Sequence, residues 1–573
     1  MSKTVTPPPP PPLESAAQDA SLPAWASELV TLYESNSASQ FLLSGNVGDS
    51  ILIPAGAEGE KAELGTLTDY IARVLLPRFD VVISYDLGNG IRVEKGGEIF
   101  GQWPTFKAAA NVPREPRQAV EFISSYLRYV NNLRLMGQRP VHVAVFVRSA
   151  SLIAPDTRGG VNYDLSALAL HLRSWGTDPA LTAHPQATFL ITENLSDLHQ
   201  LIVNNARAAR VLVPLPTPEE LRRALVTIAH RYPLALGEMV KDLSVPAGAL
   251  AGTALSAVES MLKTRQHKKQ PIADTDLMAI KKQIVEHDTG GLIEFIKPDR
   301  TLDDIHGMEK VKAWLGQDIA LWKANDLAAL PMGYLICGPV GTGKTFMVEC
   351  MAGSAGVPMV KLKNFRDRWV GSTESNLETI FRLLHALGRC CVFIDEADQA
   401  LGSRQADSGD SGVGGRVYSM FAQEMSDTRN RGKIMWILAS SRPDLIEVDL
   451  KRPGRVDVKI PLLPTTTPAE GWGLLRALAK KRGVVVDKEL PKALEGRIPL
   501  RLTPGAAEAL AVKVYRMTRT SPGLSAIDAL AACLSDYQPP VAPEIMQFQI
   551  DIAVREASDL EFVPQVYRKV AQV

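Results

Sequence analysis

The stretch 334–346, YLICGPVGTGKTF, constrains the fold of this chain more than any other part of the sequence. An apolar run typical of a buried strand leads directly into a glycine-rich turn that ends in Lys344 and Thr345. The turn fills every fixed position of the pattern G-x-x-x-x-G-K-[ST]. Glycines allow successive backbone N–H groups to point inward around phosphate, and a following helix adds a favourable N-terminal dipole. The stretch therefore predicts a phosphate-binding loop between a strand and a helix.

The same pattern assigns ligands to single positions. The predicted nucleotide-binding residues of the loop are Gly338, Pro339, Val340, Gly341, Thr342, Gly343, Lys344 and Thr345. Lys344 is expected to contact the β- and γ-phosphate oxygens, and the Thr345 hydroxyl is expected to coordinate Mg²⁺. The predicted cofactors are ATP and Mg²⁺.

A second stretch, CCVFIDEADQA (390–400), supplies two acids directly after an apolar run. Asp395, at the end of a buried strand, is expected to be part of the nucleotide site and to hold its metal ion. Glu396 is expected to orient and deprotonate a water molecule. A solvated surface turn is the alternative for an acidic pair, but five apolar residues before it argue against that alternative. The two stretches together predict an ATPase.

With these motifs, the block KIMWILASSRPDLIEVDLKRPGRVDVKIPL (433–462) resembles the AAA branch of the AAA+ ATPases. The resemblance implies a P-loop α/β core with a parallel sheet, a helical lid and a ring of identical chains, usually a hexamer. It also implies that Arg452 and Arg455 reach the γ-phosphate of a neighbouring subunit, an effect that can exceed ~10³-fold in rate. By the same resemblance Ser441, at the end of the strand in this block, is the sensor residue, a position where the family usually has Asn. Serine can still hydrogen-bond a water molecule or a phosphate, but its shorter reach predicts slow turnover.

Two further stretches carry family resemblance. Residues 364–376 resemble the first pore loop, and Trp369, Val370 and Gly371 match its aromatic–apolar–glycine signature. The resemblance implies that this loop grips a protein substrate in the central channel of the ring. A tryptophan packed in the core is the alternative.

Residues 281–315 resemble the lead-in of the hypothetical-chloroplast-reading-frame AAA proteins of plastids and cyanobacteria, which have bacterial relatives. By this resemblance Ile305 and Gly307 contribute to the nucleotide site next to the adenine. His306, between them, replaces a usual glycine and either touches the base or is simply half-exposed. Kinship with this group implies little about substrates.

The first half of the chain contains a second copy of these strands without their polar residues. The stretch VAVFVRSASLIAP (143–155) places Arg148 on Asp395, and the same alignment sets 189–198 on 436–445 without a gap. Upstream, FLLSGNVGD aligns with YLICGPVGT of the phosphate loop. In the lid, LSAVE (255–259) echoes LSAID (524–528). The order of these matches predicts a duplicated domain.

The duplicate lacks every residue assigned to chemistry. Ile51 and Leu52 replace the loop lysine and threonine, and Asn205 and Ala208 replace the two arginines. The first half is therefore predicted to be a degenerate AAA-like domain, a pseudo-ATPase that serves ring assembly or docking. An unrelated α/β adaptor domain is the alternative.

The predicted boundaries follow from these matches. They are a Pro-rich disordered tail at 1–22, a degenerate AAA-like α/β domain at 23–215, the lid of the first half with a linker at 216–290, an AAA+ core at 291–466 and a C-terminal helical lid at 467–573. The prolines at 7–12 favour a stiff polyproline II spacer or, alternatively, a ligand for a proline-reading partner.

Composition excludes several other classes. Lys plus Arg and Asp plus Glu both total 63, so the zero net charge argues against a nucleic-acid-binding protein. No apolar run is long enough to span a bilayer and no signal core follows the N-terminus, which predicts a cytoplasmic protein, or a stromal one if it comes from a plastid. A membrane-tethered protease of the related kind is also excluded by the lack of an H-E-x-x-H sequence. The five cysteines lie mostly in apolar runs and are expected to be buried thiols.

The predicted function is that of a ring ATPase that remodels or unfolds an unidentified protein partner. The alternative is a nucleotide-controlled scaffold or switch that binds partners without threading them.

Overall fold

The computed structural model describes residues 22–54, 62–109, 111–157, 162–182, 185–363, 373–401, 413–521 and 523–571. The chain divides between Leu277 and Met278 into two compact units. Each unit contains one six-stranded sheet covered by helices, which is the α/β class that the sequence predicts.

The first unit holds a mostly parallel sheet. Its strands are β1 (Gln40–Gly45), β2 (Ile51–Ile53), β3 (Glu63–Gly65), β4 (Val81–Asp86), β5 (Gly90–Lys95), β6 (Val143–Val147), β7 (Gln186–Ile191) and β8 (Ala208–Val213). Its helices are α1 (Ala24–Glu34), α2 (Leu67–Tyr70), α3 (Gly97–Gly101), α4 (Pro104–Ala108), α5 (Pro116–Leu135), α6 (Ala150–Ile153), α7 (Tyr163–Ser174), α8 (Gln200–Val203), α9 (Pro218–Ile228), α10 (Pro233–Leu236), α11 (Ser244–Ala249), α12 (Leu255–Lys268) and α13 (Asp274–Asp288), the last of which crosses the division between the units. The sheet order is β5-β4-β6-β7-β1-β8, and β2 pairs with β3 in a separate hairpin.

The second unit repeats this arrangement. Its strands are β9 (Ile293–Ile296), β10 (Gly333–Cys337), β11 (Met359–Leu362), β12 (Cys390–Ile394), β13 (Ile434–Ser440) and β14 (Val458–Pro461). Its helices are α14 (Glu309–Lys323), α15 (Lys344–Ala355), α16 (Thr373–Leu387), α17 (Ala397–Ala400), α18 (Val413–Met425), α19 (Pro468–Lys481), α20 (Pro504–Thr520), α21 (Ala526–Ser535), α22 (Pro543–Glu556) and α23 (Arg568–Ala571). The sheet order is β14-β10-β13-β12-β11-β9.

The two sheets share one strand order. β8-β1-β7-β6-β4 of the first unit corresponds to β14-β10-β13-β12-β11 of the second, with parallel pairing throughout. Both end in an antiparallel edge strand, but β5 follows β4 through a hairpin whereas β9 precedes the rest of its sheet. The shared order confirms the predicted duplicate fold and contradicts an unrelated adaptor domain.

The central strands are apolar runs because helices cover both faces of each sheet. All residues of β6, β7, β10, β12 and β13 are buried. In the first unit Phe41, Phe146 and Phe189 stack across three neighbouring strands, with ring centroids 5.2 and 4.7 Å apart. Because these strands are buried throughout, polar side chains occur just beyond their ends, and the candidate site described below lies there.

The lid helices follow each sheet. Both first helices begin after a threonine cap, Thr217 for α9 and Thr467 for α19, and only the former forms a reciprocal capping box. Helices α19, α20 and α21 share one apolar cluster, whereas α22 packs against β14 of the sheet. The N-terminus of α12 donates a hydrogen bond to Asp49 in the loop after β1, and the N-terminus of α20 donates one to Gly341 in the loop after β10. These contacts make α12 the counterpart of α20. The sequence match of 255–259 with 524–528, at the start of α21, is therefore wrong.

The five cysteines are free and buried, as the sequence predicts. Burial raises the pKa of the Cys390 thiol to about 12, so it stays protonated at neutral pH. None of the helices in the described part of the chain combines the length and apolar character needed to cross a bilayer.

Candidate nucleotide-binding site

The predicted phosphate loop connects β10 to α15, as strand–loop–helix spacing requires. Gly338 has φ +148°, and a Cβ atom there would lie 2.1 Å from the carbonyl oxygen of Leu462. Gly343 precedes the helix with φ +84°. Any side chain at the first position would collide with backbone, and both glycines adopt angles that L residues rarely take. The loop backbone can therefore turn its N–H groups toward a phosphate.

Lys344 begins α15 and folds back over the loop. Its Nζ donates to the carbonyl oxygens of Gly338 at 2.9 Å and Pro339 at 3.1 Å. Burial holds the pKa of Lys344 below its usual value, although nearby Asp395 opposes the shift. The ammonium thus lies at the mouth of the loop, with carbonyl contacts that a phosphate oxygen can replace.

Asp395 follows β12 and lies next to the loop. Its Oδ2 is 3.4 Å from the Thr345 hydroxyl and accepts a hydrogen bond at 2.8 Å from Lys361 Nζ. The Thr345 hydroxyl and the carboxylate are the hard oxygen ligands that Mg²⁺ prefers. Lys361, on β11, was missed by sequence reasoning because an alternating strand pattern does not show which neighbour a side chain reaches.

Glu396, the predicted base, adopts the left-handed conformation with φ +48° and is exposed. Its backbone N–H donates to Asp395 Oδ1 at 3.2 Å. Left-handed backbone is costly for a residue other than glycine, asparagine or aspartate, and such strain is concentrated at functional positions. The turn separates the two acids, so that one faces the loop and the other faces solvent.

The end of β13 differs from the sequence expectation in one detail. Ser440 is fully buried and its Oγ donates to Asp398 Oδ1 at 2.5 Å, while it accepts from the backbone N–H of Arg442 at 2.8 Å. Ser440 thereby ties the sensor strand to the helix that follows Glu396. Ser441, the predicted sensor, is half-buried beyond the strand end and keeps that role as a prediction.

The two predicted arginine fingers are placed differently. Arg455 is 8% exposed, and it pairs with the carboxylate and carbonyl oxygen of Asp449. The Arg452 side chain is 60% exposed and lies 3.0 Å from the same carboxylate. Arg452 is therefore accessible to a neighbouring molecule, whereas Arg455 holds the turn that carries it.

The segment expected beside the adenine lies between the core and lid of the second unit. Ile305 is buried and Gly307 has φ +74°. The His306 ring lies against the lid, because a Cβ on Gly473 would be 2.8 Å from its Nε2 atom. Burial lowers the pKa of His306, so the imidazole is neutral at physiological pH. The proposed pore residues Trp369, Val370 and Gly371 lie outside the described residues.

A second residue missed by sequence reasoning is Gln549 on α22. Its side-chain oxygen accepts from the backbone N–H of Val340 at 3.3 Å, and the residue is 7% exposed. The lid contributes through Gly505, whose N–H donates to the carbonyl oxygen of Gly341 at 2.9 Å. No local motif could have indicated either contact, since both join segments far apart in sequence.

The first unit presents the same backbone with different side chains. Gly45 matches Gly338, with φ +99° and a Cβ position 2.4 Å from the carbonyl oxygen of Val213. Ser149 matches Glu396 with φ +50°. Arg148, however, stands after β6 where the second unit has Asp395, the predicted metal ligand. The fold is therefore preserved down to its strained positions, while the side chains that the sequence analysis assigns to chemistry are replaced.

The loop of the first unit also supplies its own anion. The Asp49 carboxylate accepts hydrogen bonds at 2.8 Å from the N–H groups of Ser50, Leu255 and Ser256 and at 2.9 Å from Asn46. The chain then continues into β2 rather than into a helix. The carboxylate thus uses loop N–H groups that a nucleotide phosphate would need, and it also occupies the N-terminus of α12, the helix that faces this turn.

The donors of the second unit fit Mg–ATP. A glycine cradle opens at the start of the twelve-residue helix α15, Lys344 supplies a half-buried cation, and Thr345 and Asp395 supply oxygens within 3.4 Å of each other. Those two residues would hold the metal, which when bound neutralises phosphate charge. A P-loop nucleotide-binding fold with an AAA-type strand order is the class that fold and site define.

Comparison with known proteins agrees with this class. The family description "AAA+ chaperone, N-terminal Rossmann-like domain" matches residues 10–214, and "ATPase family associated with various cellular activities (AAA)" matches residues 334–463. The chain belongs to the AAA+ ATPase family, and its first half is an AAA-like Rossmann domain.

Similar relatives match part of the chain. "Protein mac-1" of Caenorhabditis elegans is 32% identical over 28% of this chain and 20% of its own length. "Peroxisomal ATPase PEX6" of Dictyostelium discoideum is 30% identical over 37% and 18%, respectively. "Cell division cycle protein 48 homolog" of Archaeoglobus fulgidus is 28% identical over 36% and 28%. The chain thus spans 18–28% of the length of these three relatives.

Proposed function

We propose that the second unit hydrolyses ATP with Mg²⁺ and that the first unit supports it without doing this chemistry. The observation that carries the proposal is a matched pair of strand ends. Asp395 and Glu396 follow β12, while Arg148 and Ser149 follow β6 on an equivalent backbone. Lys344 binds phosphate, Asp395 and Thr345 hold the metal, and Glu396 takes the proton of the attacking water.

We propose that the free energy of ATP hydrolysis is used to remodel or unfold a protein partner. Arg452 reaches the site of a neighbouring copy, so the working unit is a ring of identical chains, a hexamer by family resemblance. Trp369, Val370 and Gly371 grip the partner, and the first unit assembles the ring or docks the partner. A cytoplasmic location, or a plastid stroma for a plastid protein, fits this role.

A nucleotide-controlled switch is the second candidate, and one contact favours it. Lys361 holds the metal-binding carboxylate at 2.8 Å, and this ion pair must rearrange before Asp395 can serve a cation. A site that resists metal entry suits slow turnover and long-lived nucleotide states. In this scheme the first unit binds partners and nothing is threaded.

The test uses full-length protein and phosphate release with ATP and Mg²⁺. Lys344→Ala is expected to abolish release, because the β- and γ-phosphates lose their cation, while Lys363→Ala on the neighbouring loop serves as an exposed-lysine control. Parental release by Lys344→Ala overturns the proposed ATPase. Trp369→Ala then separates the candidates: a threading machine loses substrate unfolding, whereas a switch retains partner binding.

A further inference from the structure

A large cavity lies in the first unit beside the end of β6. Its volume is about 1200 Å³, and its walls come from α1, β2, α2 with the segment after it, the sheet, α9 and α12. Much of the lining is apolar, and includes Trp25, Ile51, Ile53, Val74, Leu75 and Phe146. Ligand pockets usually measure about 300–1,000 Å³ and are apolar with a few placed polar groups. The cavity has the size and the lining of such a pocket.

Arg148 supplies the most distinctive polar group of this cavity. Its Nη2 donates to the Thr68 hydroxyl at 3.0 Å and lies 3.7 Å from the Glu94 carboxylate. Its Nε is buried without a hydrogen-bond partner among the described residues. Leaving a buried donor unsatisfied costs about 1–3 kcal/mol, and more for a charged group. The Arg148 side chain lines the cavity and is 34% exposed, so the accessible part of this guanidinium can meet an acceptor there.

A second arginine on the wall has the same property. Arg223 of α9 lines the cavity, and its Nε is also buried without a hydrogen bond within the described chain. The nearest acid is Glu219, whose Oε1 lies 4.0 Å from this nitrogen. Such a separation gives weak attraction at a partly exposed site. Arg223 thus adds a second positive charge to the wall of the cavity, and its Nε is left without an acceptor in the described chain.

The acids on the wall are already satisfied. Asp69 and Glu220 close the capping boxes of their own helices, and Glu94 accepts a hydrogen bond from Ser84 at 2.5 Å. Asp49 accepts from three backbone N–H groups and from an asparagine. Because the acids have donors while arginine donors lack acceptors, the cavity favours an anionic ligand over a cationic one.

One wall is built from an unusual element. Residues Ile71–Leu75 form a π-helix that directly continues α2, and Ala72, Arg73, Val74 and Leu75 of this segment line the cavity. π-Helical turns are rare and occur frequently at functional sites, because their wider hydrogen-bond pattern is less stable than an α-helix. The segment gives an independent indication that this part of the unit is shaped for binding.

We propose that this cavity binds an organic anion with an apolar body and that it does so without a metal ion. The head group, a carboxylate or a phosphate, meets Arg148, and the body packs against the apolar wall that contains Ile51 and Phe146. Arg148 stands where the second unit has Asp395, so its positive charge repels a divalent cation and replaces it as the partner of the anion. The site is thus distinct from Mg–ATP binding and does not depend on it.

The test measures binding of dodecanoate to the full-length protein by calorimetry in EDTA, below the micelle concentration. Dodecanol and dodecyltrimethylammonium carry the same chain with a neutral and a cationic head, and dodecyl phosphate compares the two anionic heads. We expect about one dodecanoate per chain, at least tenfold weaker binding of dodecanol and weaker binding still of the cation.

Two variants locate the site. Arg148→Met keeps the side-chain length but removes the charge, and it is expected to weaken dodecanoate binding at least tenfold while leaving dodecanol unchanged. Arg139→Met is the matched control, since that side chain is 85% exposed and pairs only weakly with Asp80 at 3.4 Å. Ala72→Trp fills the cavity and is expected to abolish binding of both. Circular dichroism and ATP turnover monitor the fold of each variant.

Equal affinity of dodecanoate and dodecanol overturns the proposal, because the head group would then contribute nothing. It is also overturned if Arg148→Met binds dodecanoate like the parent, or if correctly folded Ala72→Trp still binds it. A requirement for Mg²⁺ contradicts the metal-free site.

Discussion

The ends of β6 and β12 have the same backbone conformation but carry different side chains at two positions. Both strands are fully buried, and both are followed by a left-handed residue and a short helix, α6 or α17. In the second unit the two positions hold Asp395 and Glu396, and in the first they hold Arg148 and Ser149. The comparison teaches that the geometry of this strand end persists when one acid is replaced by a base and the other by a neutral residue, because the backbone is held by packing.

The largest effect is expected for the arginine that a neighbouring subunit supplies, and it tests whether ATP turnover by the second unit requires an adjacent copy of the chain. Arg452→Ala is expected to lower ATP turnover by ~10³-fold, because a neighbouring site loses the cation that stabilises phosphoryl transfer. Phosphate release measures turnover, and sedimentation shows whether the ring persists. Arg429→Ala, which removes an arginine 87% exposed at its side chain, serves as control. Full turnover of an assembled Arg452→Ala ring contradicts the assignment.

The next effect compares the matched strand ends directly. Glu396→Gln is expected to reduce turnover by about 10²-fold or more while ATP remains bound, because an amide cannot accept the proton of the attacking water. Ser149→Gly changes the equivalent position, tolerates the left-handed backbone and should leave turnover unaltered. Comparable losses from both substitutions would mean that the first unit also does chemistry. Because ATP stays bound to the Glu396→Gln protein, proteins that co-purify with this variant in the presence of ATP identify its partners.

The matched glycines are expected to give an intermediate effect on stability. Gly45→Ala and Gly338→Ala each force a side chain toward a carbonyl oxygen, 2.4 and 2.1 Å away, at positive φ. Each should destabilise its own sheet by about 1–3 kcal/mol. Hydrogen exchange of β1 and β10 amides reads the two units separately, and faster exchange in only the mutated unit is expected. Exchange that accelerates equally in both units would show that the units unfold as one.

The smallest effect concerns the ion pair that sequence reasoning missed. Lys361→Met is expected to lower the Mg²⁺ concentration needed for half-maximal binding of fluorescent ADP by up to about fivefold, since a partly exposed ion pair contributes about 0.2–1 kcal/mol. Both side chains are about 30% exposed. Lys363→Met, two residues along the chain, is the control. An increased Mg²⁺ requirement would instead make Lys361 a helper of metal binding.

Much of the second unit could be predicted because its signals are local. The phosphate loop lies within one strand–turn–helix segment, and the loop residues from Gly338 to Thr345 occupy the predicted positions. The duplicate fold was also predictable, since buried strands need apolar runs whatever chemistry follows them. The contacts of Lys361, Gln549 and Ser440 were not predictable, because each joins elements whose neighbourhood depends on strand order and helix packing.

The sequence by itself determined the strand-and-loop scaffold of both halves, and it placed the residues typical of nucleotide chemistry in only one of them. Covalent neighbours set those features: a glycine turn must precede its helix, and an acid must follow its strand. Tertiary structure alone decided that Lys361 pairs with Asp395 and that Arg455 is buried while Arg452 is exposed. It also decided that the Asp49 carboxylate binds the N–H groups around its own loop. Such features depend on distances between segments far apart in the chain, which packing fixes only when the whole unit folds.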